Sequence, residues 1–208
     1  MPAHRADPPT PRARAGRRRC LGAAASLLAA AIAARAQPVA LVEGERLVHV
    51  ERSAWQTLVV TDSPTRRCLR FGVEADALSQ SCRLHAAPAH LAFDYTRAMV
   101  AALLLWRPAP TRVLLIGVGG GSMAQALVAA RPALQVDAVD IDPAVLDVAQ
   151  RFFDLTPGPR LRLHAADGRA FVAQARARGE RYGAVLLDAF DAEGIPPALF
   201  GEDFLRFL

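Results

Sequence analysis

Residues Val113 to Ser122, VLLIGVGGGS, constrain the fold more than any other stretch of the chain. An all-apolar run bounded by turn residues reads as a strand buried on both faces of a parallel sheet. Glycines at 117, 119, 120 and 121 then let the backbone turn tightly and come close to a ligand, before a helical pattern starts at Ser122. Strand, glycine turn and helix in this order form a nucleotide cradle. The spacing fits two chemistries. Gly117, Gly119 and Gly121 give the GxGxG of a nucleoside-binding turn, and Gly119, Gly121 and Ala124 also satisfy the dinucleotide pattern GxGxxA.

The flanking sequence supplies the rest of a parallel sheet. Val136–Val139 reads as a second strand, Asp142 and Pro143 as the cap and first residue of a helix running to Phe153, and Leu161–His164 as a third strand. A helix over Arg169–Arg178, a fourth strand over Ala184–Leu187 and a last helix from about Pro197 complete the alternation. Upstream, residues 40 to 83 alternate apolar and polar side chains, which predicts a small antiparallel sheet, and Pro88–Trp106 reads as a helix. The expected fold class is therefore α/β: an N-terminal antiparallel β-sheet region over residues 37–87, then a Rossmann-like nucleoside-binding domain over 88–208. Leu208 closes the chain inside a helical pattern, so the second domain is expected to be truncated at its C-terminus.

Residues 1–36 have the layout of a signal peptide. An arginine-rich start precedes a weakly apolar alanine-rich run, and Ala34-Arg35-Ala36 offers small residues for cleavage. Gly16-Arg17-Arg18-Arg19-Cys20-Leu21 is similar to a twin-arginine export signal, which predicts delivery to the periplasm; the alternative is a cytoplasmic protein with an arginine-rich extension. The apolar run is too short to span a bilayer, so no integral membrane segment is expected in the mature chain. The segment carries seven of the 25 basic residues and one of the 20 acidic ones, leaving 18 against 19. A nearly neutral domain gives no reason to expect nucleic acid as a partner. Cys68 and Cys82 lie in two strand-like runs that can form a hairpin; an oxidising compartment would favour a disulfide between them, and free buried thiols are the alternative. Neither has the companions of a metal site, and no metal is expected.

In an open α/β sheet the ligand lies beyond the carboxyl ends of the strands, and each of these ends is followed by an acid. Asp140 follows the second strand, about 20 residues past the glycine turn, where a carboxylate accepts hydrogen bonds from ribose hydroxyls. Asp142 reads as a helix cap. Asp167 and Gly168 follow the third strand, either to read the edge of an adenine or to cap the next helix. Asp188 and Asp191 follow the fourth, where paired carboxylates attract a cation and one can take a proton from an ammonium nucleophile.

From about Ser53 onward these residues resemble the polyamine aminopropyltransferases, the spermidine synthase family. The resemblance is carried by Trp55-Gln56, by Tyr95 placed 22 residues before the first glycine, by LLIGVGGGS, by the acid of VDID, by Ala166-Asp167-Gly168 and by Asp188-Ala-Phe-Asp191. It implies a small β-sheet domain followed by a methyltransferase-like Rossmann domain. It further implies that Asp140 holds the ribose, and Asp167 with Gly168 the adenine, of decarboxylated S-adenosylmethionine, a co-substrate rather than a tightly bound cofactor. Asp188 would deprotonate the attacking amine; Asp191, Tyr95 and Gln56 would bind the small-molecule polyamine; and a homodimer is implied. Two departures stand out. Gly120 occupies the position where the family usually carries an aspartate for the amino end of the nucleoside's side chain, and Tyr95-Thr96-Arg97 puts a cation where the family has an acid. An S-adenosylmethionine-dependent methyltransferase, or a non-catalytic nucleoside-binding member, are the alternative readings.

Overall fold

The computed structural model describes residues 38–74, 77–190 and 196–206. The expected export signal and Asp191 lie outside the described residues.

The first sheet is an antiparallel meander of β1 (Arg46–Arg52), β2 (Thr57–Asp62), β3 (Arg66–Phe71) and β4 (Ser79–Leu84), in that spatial order. It confirms the antiparallel sheet read from alternation. Cys68 and Cys82 are direct cross-strand partners of β3 and β4 and form a disulfide, which resolves the two alternatives. Helix α1 is shorter than the Pro88–Trp106 expected. It spans Asp94–Leu105, because Pro88 to Phe93 is spent on a turn and an extended cap residue.

The second sheet is parallel, in the order β7 (Leu161–Ala165), β6 (Gln135–Asp140), β5 (Arg112–Ile116), β8 (Ala184–Leu187). Helices α2 (Ser122–Ala130), α3 (Pro143–Phe152) and α4 (Gly168–Ala177) connect its strands, and a 3-10 turn at Pro197–Leu199 precedes α5 (Glu202–Leu205). The last helix expected from Pro197 is thus a turn followed by a single helical turn. The chain moves outward from β5 through β6 to β7 and then returns to pair β8 on the other side of β5. That reversal makes a switch point, where a crevice opens beyond the strand ends.

Side chains alternate across β5. Val113 and Leu115 pack with Leu103 of α1 and Leu127 of α2, while Leu114 and Ile116 face Phe171, Val172 and Phe204 on the opposite side. A third cluster joins the two sheets: Leu58, Val60 and Leu69 pack on Val145, Val148 and Phe153. Polar contacts reinforce this joint. Ser53 Oγ donates to Asp142 Oδ2 at 2.6 Å, Arg83 pairs with Asp154 at 2.6 Å, and Arg67 donates to the Phe152 carbonyl at 3.2 Å. Asp142 also accepts from the Ala144 amide at 3.0 Å, with Pro143 next to it, and is the helix cap its sequence indicated. Among the described residues, no helix is long and apolar enough to cross a membrane.

Candidate active site

A cleft of ≈ 650 Å³ opens at the switch point, between the ends of the parallel strands and the edge of the antiparallel sheet. Its walls include Gln56, Tyr95, Gly117, Gly119, Asp140, Asp167, Gly168 and Asp188, so eight of the residues expected from sequence meet in one place. Gly121 does not line it; that residue faces Leu155 behind the turn.

The floor is set by Gly117. Its φ of +90° is a left-handed conformation, and a Cβ there would lie 2.2 Å from the Asp188 carbonyl oxygen. The glycine turn and the segment after β8 are therefore in backbone contact. The Asp188 amide in turn donates to the Ile116 carbonyl at 2.7 Å, extending the β5–β8 ladder by one residue. This places the Asp188 carboxylate directly across the switch point from the turn.

The three strand-end acids are used differently. Asp140 accepts from the Val118 amide at 2.9 Å through Oδ2 and from the Asp142 amide at 3.0 Å through Oδ1, so it holds the turn in shape. Burial pushes its carboxyl above the usual range, and the amides of Val118, Asp142 and Gly119 oppose that shift without cancelling it. A carboxylate has about four acceptor sites, which leaves some capacity for a donor in the cleft. Asp167 caps α4, accepting from the Ala170 amide at 2.8 Å. The cap reading is therefore realised, and the exposed carboxylate still reaches the cleft. Gly168 beside it lets the first turn of α4 sit on the end of β5, since a Cβ would come 2.7 Å from the Ile116 side chain.

Asp188 differs from both. Among the described residues, the one hydrogen bond to its side chain comes from the Tyr95 hydroxyl, which donates over a long 3.4 Å. Burial raises its pKa to about 6, and the tyrosine bond offsets only part of that rise. Burial and the neighbouring carboxylate push Tyr95 up to about 12. A carboxylate poised near neutrality and facing a cleft has the chemistry to accept a proton there.

Arg97 does not enter the cleft. Its guanidinium donates to the Leu91 carbonyl at 2.6 Å and pairs with Asp94, so the cation expected at an amine site is directed away from it. Among the described residues, no arginine or histidine lines the cleft, and the chain contains no lysine at all. Gly120 is closed on one side: a Cβ there would lie 2.7 Å from Ser81 Oγ and 3.1 Å from the Phe153 ring. Sequence reasoning missed Glu74, Gln80 and Ile141, which also line the cleft. Only the position of Ile141 directly after Asp140 gave any signal. A second cleft of ≈ 680 Å³ lies behind the turn, between α2 and the end of β4; among the described residues its one lining carboxylate, Asp154, is taken by Arg83. Among the described residues, no group of three or more His, Cys, Asp or Glu side chains is placed to hold a metal ion.

The sequence pattern of the spermine/spermidine synthase domain matches residues 92–208, more than half of the chain. The chain belongs to the spermine/spermidine synthase family. A polyamine aminopropyltransferase of Vibrio vulnificus is 37% identical over 160 residues, covering 76% of this chain and 53% of that protein. The human eEF1A lysine and N-terminal methyltransferase is 32% identical over 132 residues, covering 56% of this chain and 19% of that protein. A probable spermidine synthase from Corynebacterium glutamicum has the same fold at a TM-score of 0.64 and 17% identity, over 78% of this chain and 59% of that one. The chain spans about half the length of the aminopropyltransferase it matches.

Proposed function

We propose that this protein binds decarboxylated S-adenosylmethionine and transfers its aminopropyl group to an amine of a polyamine. The observation that carries the reading is Asp188, a half-buried carboxylate with a pKa near 6 set across the switch point from the glycine turn, in a cleft that no cationic side chain lines among the described residues. Amines are mostly protonated at neutral pH and cannot attack until a proton leaves. Asp188 accepts that proton. The neutral nitrogen attacks the methylene carbon next to the sulfonium, the carbon–sulfur bond breaks with its electron pair passing to sulfur, and neutral methylthioadenosine departs. Little else is required of the protein beyond alignment, since the sulfonium is already a good leaving group. Asp140 and Asp167 would hold ribose and adenine, while Tyr95 and Gln56 would line the path of the amine.

A second reading is methyl transfer from intact S-adenosylmethionine, motivated by Gly120, which departs from the family's aspartate and leaves a plain GxGxG turn with a closed side. The similarity to a lysine and N-terminal methyltransferase supports the same alternative, with an amine again as acceptor. Purified protein supplied with decarboxylated S-adenosylmethionine and a diamine should release methylthioadenosine. Release of S-adenosylhomocysteine from the intact nucleoside, with none of the first product, would replace the first reading by the second. Tight nucleoside binding with neither product would leave a binding protein.

A further inference from the structure

Glu74 is the acid in the cleft that the expected roles do not employ. It lies in the connection between β3 and β4, and its carboxylate folds back over Gly72: Oε2 sits 2.5 Å from the point a Cβ of residue 72 would occupy. The bare α-carbon of Gly72 leaves that space open to the carboxylate. The connection is anchored at both ends of this turn, since the Gly72 amide donates to the Thr57 carbonyl at 2.8 Å and the Ala77 amide to the Glu74 carbonyl at 3.2 Å. Gly72, Thr57 and Glu74 all line the cleft, on the wall that also carries Trp55 and Gln56.

The other carboxylates of the cleft have donors: Asp140 and Asp167 from backbone amides, and Asp188 from Tyr95. Among the described residues, no cation or side-chain donor engages Glu74. Its exposure places it at the mouth, whereas Asp188 is half-buried at the floor. Trp55, 58% exposed on the same wall, offers a ring face that also attracts a cation. An unpaired anion at the mouth and a proton-accepting anion at the floor suit one extended molecule with a positive charge at each end.

We propose that Glu74 is a specificity-determining residue that holds the distal ammonium of a diamine or longer polyamine acceptor while its other amine reaches Asp188. The proposal rests on the amine-acceptor reading given above and names the residue that makes the site prefer two charges over one.

The test is calorimetric titration of the full chain, saturated with methylthioadenosine at low salt, with 1,4-diaminobutane and with n-butylamine. The native protein should bind the diamine about threefold to fivefold more tightly, and Glu74→Gln should remove most of that preference, in keeping with one exposed ion pair. Raising the salt should narrow the gap in the native protein and leave the variant little changed. Titration of methylthioadenosine into the variant verifies that it is folded. An unchanged diamine preference in Glu74→Gln overturns the proposal, as does a native protein that does not distinguish the two amines. The outcomes separate from those of the transfer assay. Turnover with a Glu74-independent preference defeats this proposal alone, and Glu74-dependent diamine binding without turnover defeats aminopropyl transfer alone.

Discussion

The two walls of the cleft are built to different rules. On the parallel-sheet wall the acids at the ends of β6 and β7 are bound to backbone amides, so Asp140 and Asp167 shape the turn and the helix before they meet any ligand. On the antiparallel wall the polar groups that face the cleft, Gln56, Gln80 and Glu74, belong to strand ends and one connecting loop, and order is imposed from behind by a disulfide and a shared apolar cluster. Asp188 is the exception on its own wall, since it has a tyrosine partner at 3.4 Å in place of amides. The lesson is a division of labour: one wall is rigid where geometry matters, and the other presents side chains that can change without disturbing the scaffold.

The comparison breaks most visibly at Asp188. Asp188→Asn should lower kcat by about a thousandfold, within the range ordinary for loss of a general base, while calorimetry still detects nucleoside binding. Because the base must be unprotonated, kcat/KM of the native protein should fall as pH drops below about 6. Gly117→Ala tests the rigidity claim. Its Cβ would meet the Asp188 carbonyl at 2.2 Å from a left-handed backbone, at a cost of about 3 kcal/mol, so the melting temperature should fall by roughly 6–12 °C and activity with it.

The supporting wall should respond differently. Replacing Cys68 and Cys82 by serine should cost about 2–3 kcal/mol, from the 14-residue separation that the disulfide closes, with a loss of melting temperature that a reductant reproduces in the native protein. Activity per folded molecule at low temperature should change far less than in Gly117→Ala; an equal loss would abolish the distinction between the walls. Ser53→Ala removes the donor to Asp142 Oδ2 and should cost about 1–2 kcal/mol in chemical denaturation.

The smallest effect is a gain. The Asp188 pKa is raised in the folded state, so its charge costs nothing below about pH 4, where the group is protonated folded or unfolded, and costs most above about pH 6. Asp188→Asn should therefore raise the melting temperature at pH 8 by about 2–4 °C, on the order of 1 kcal/mol after solvent screening, and not at pH 4.

Much of this could be read in the chain before folding. VLLIG and the alternating runs of β1 to β4 carry their periods locally, so strand identity and the parallel sheet followed, as did the acids at strand ends. What was not legible depends on which way a side chain turns. Arg97 read as a cation in an amine site because it stands where the family has an acid, two residues after Tyr95, yet the turn of α1 carries it to Asp94 and the Leu91 carbonyl. Glu74 gave no signal because it lies in a connecting loop, where no periodicity says which side chains face the cleft. The start of α1 was misplaced by six residues, since alanine-rich loops and helices share a composition.

Gly120 ties the shape of the glycine turn to the packing behind it. A Cβ there would lie 2.7 Å from Ser81 Oγ and 3.1 Å from the Phe153 ring, and those two residues are 5% and 2% exposed. A side chain at 120 therefore enters only if the serine hydroxyl turns aside and the ring shifts by a few tenths of an ångström. Donor recognition at this position is thereby coupled to β4 and to the end of α3, so a change of chemistry in the turn is also a repacking of the joint between the two sheets.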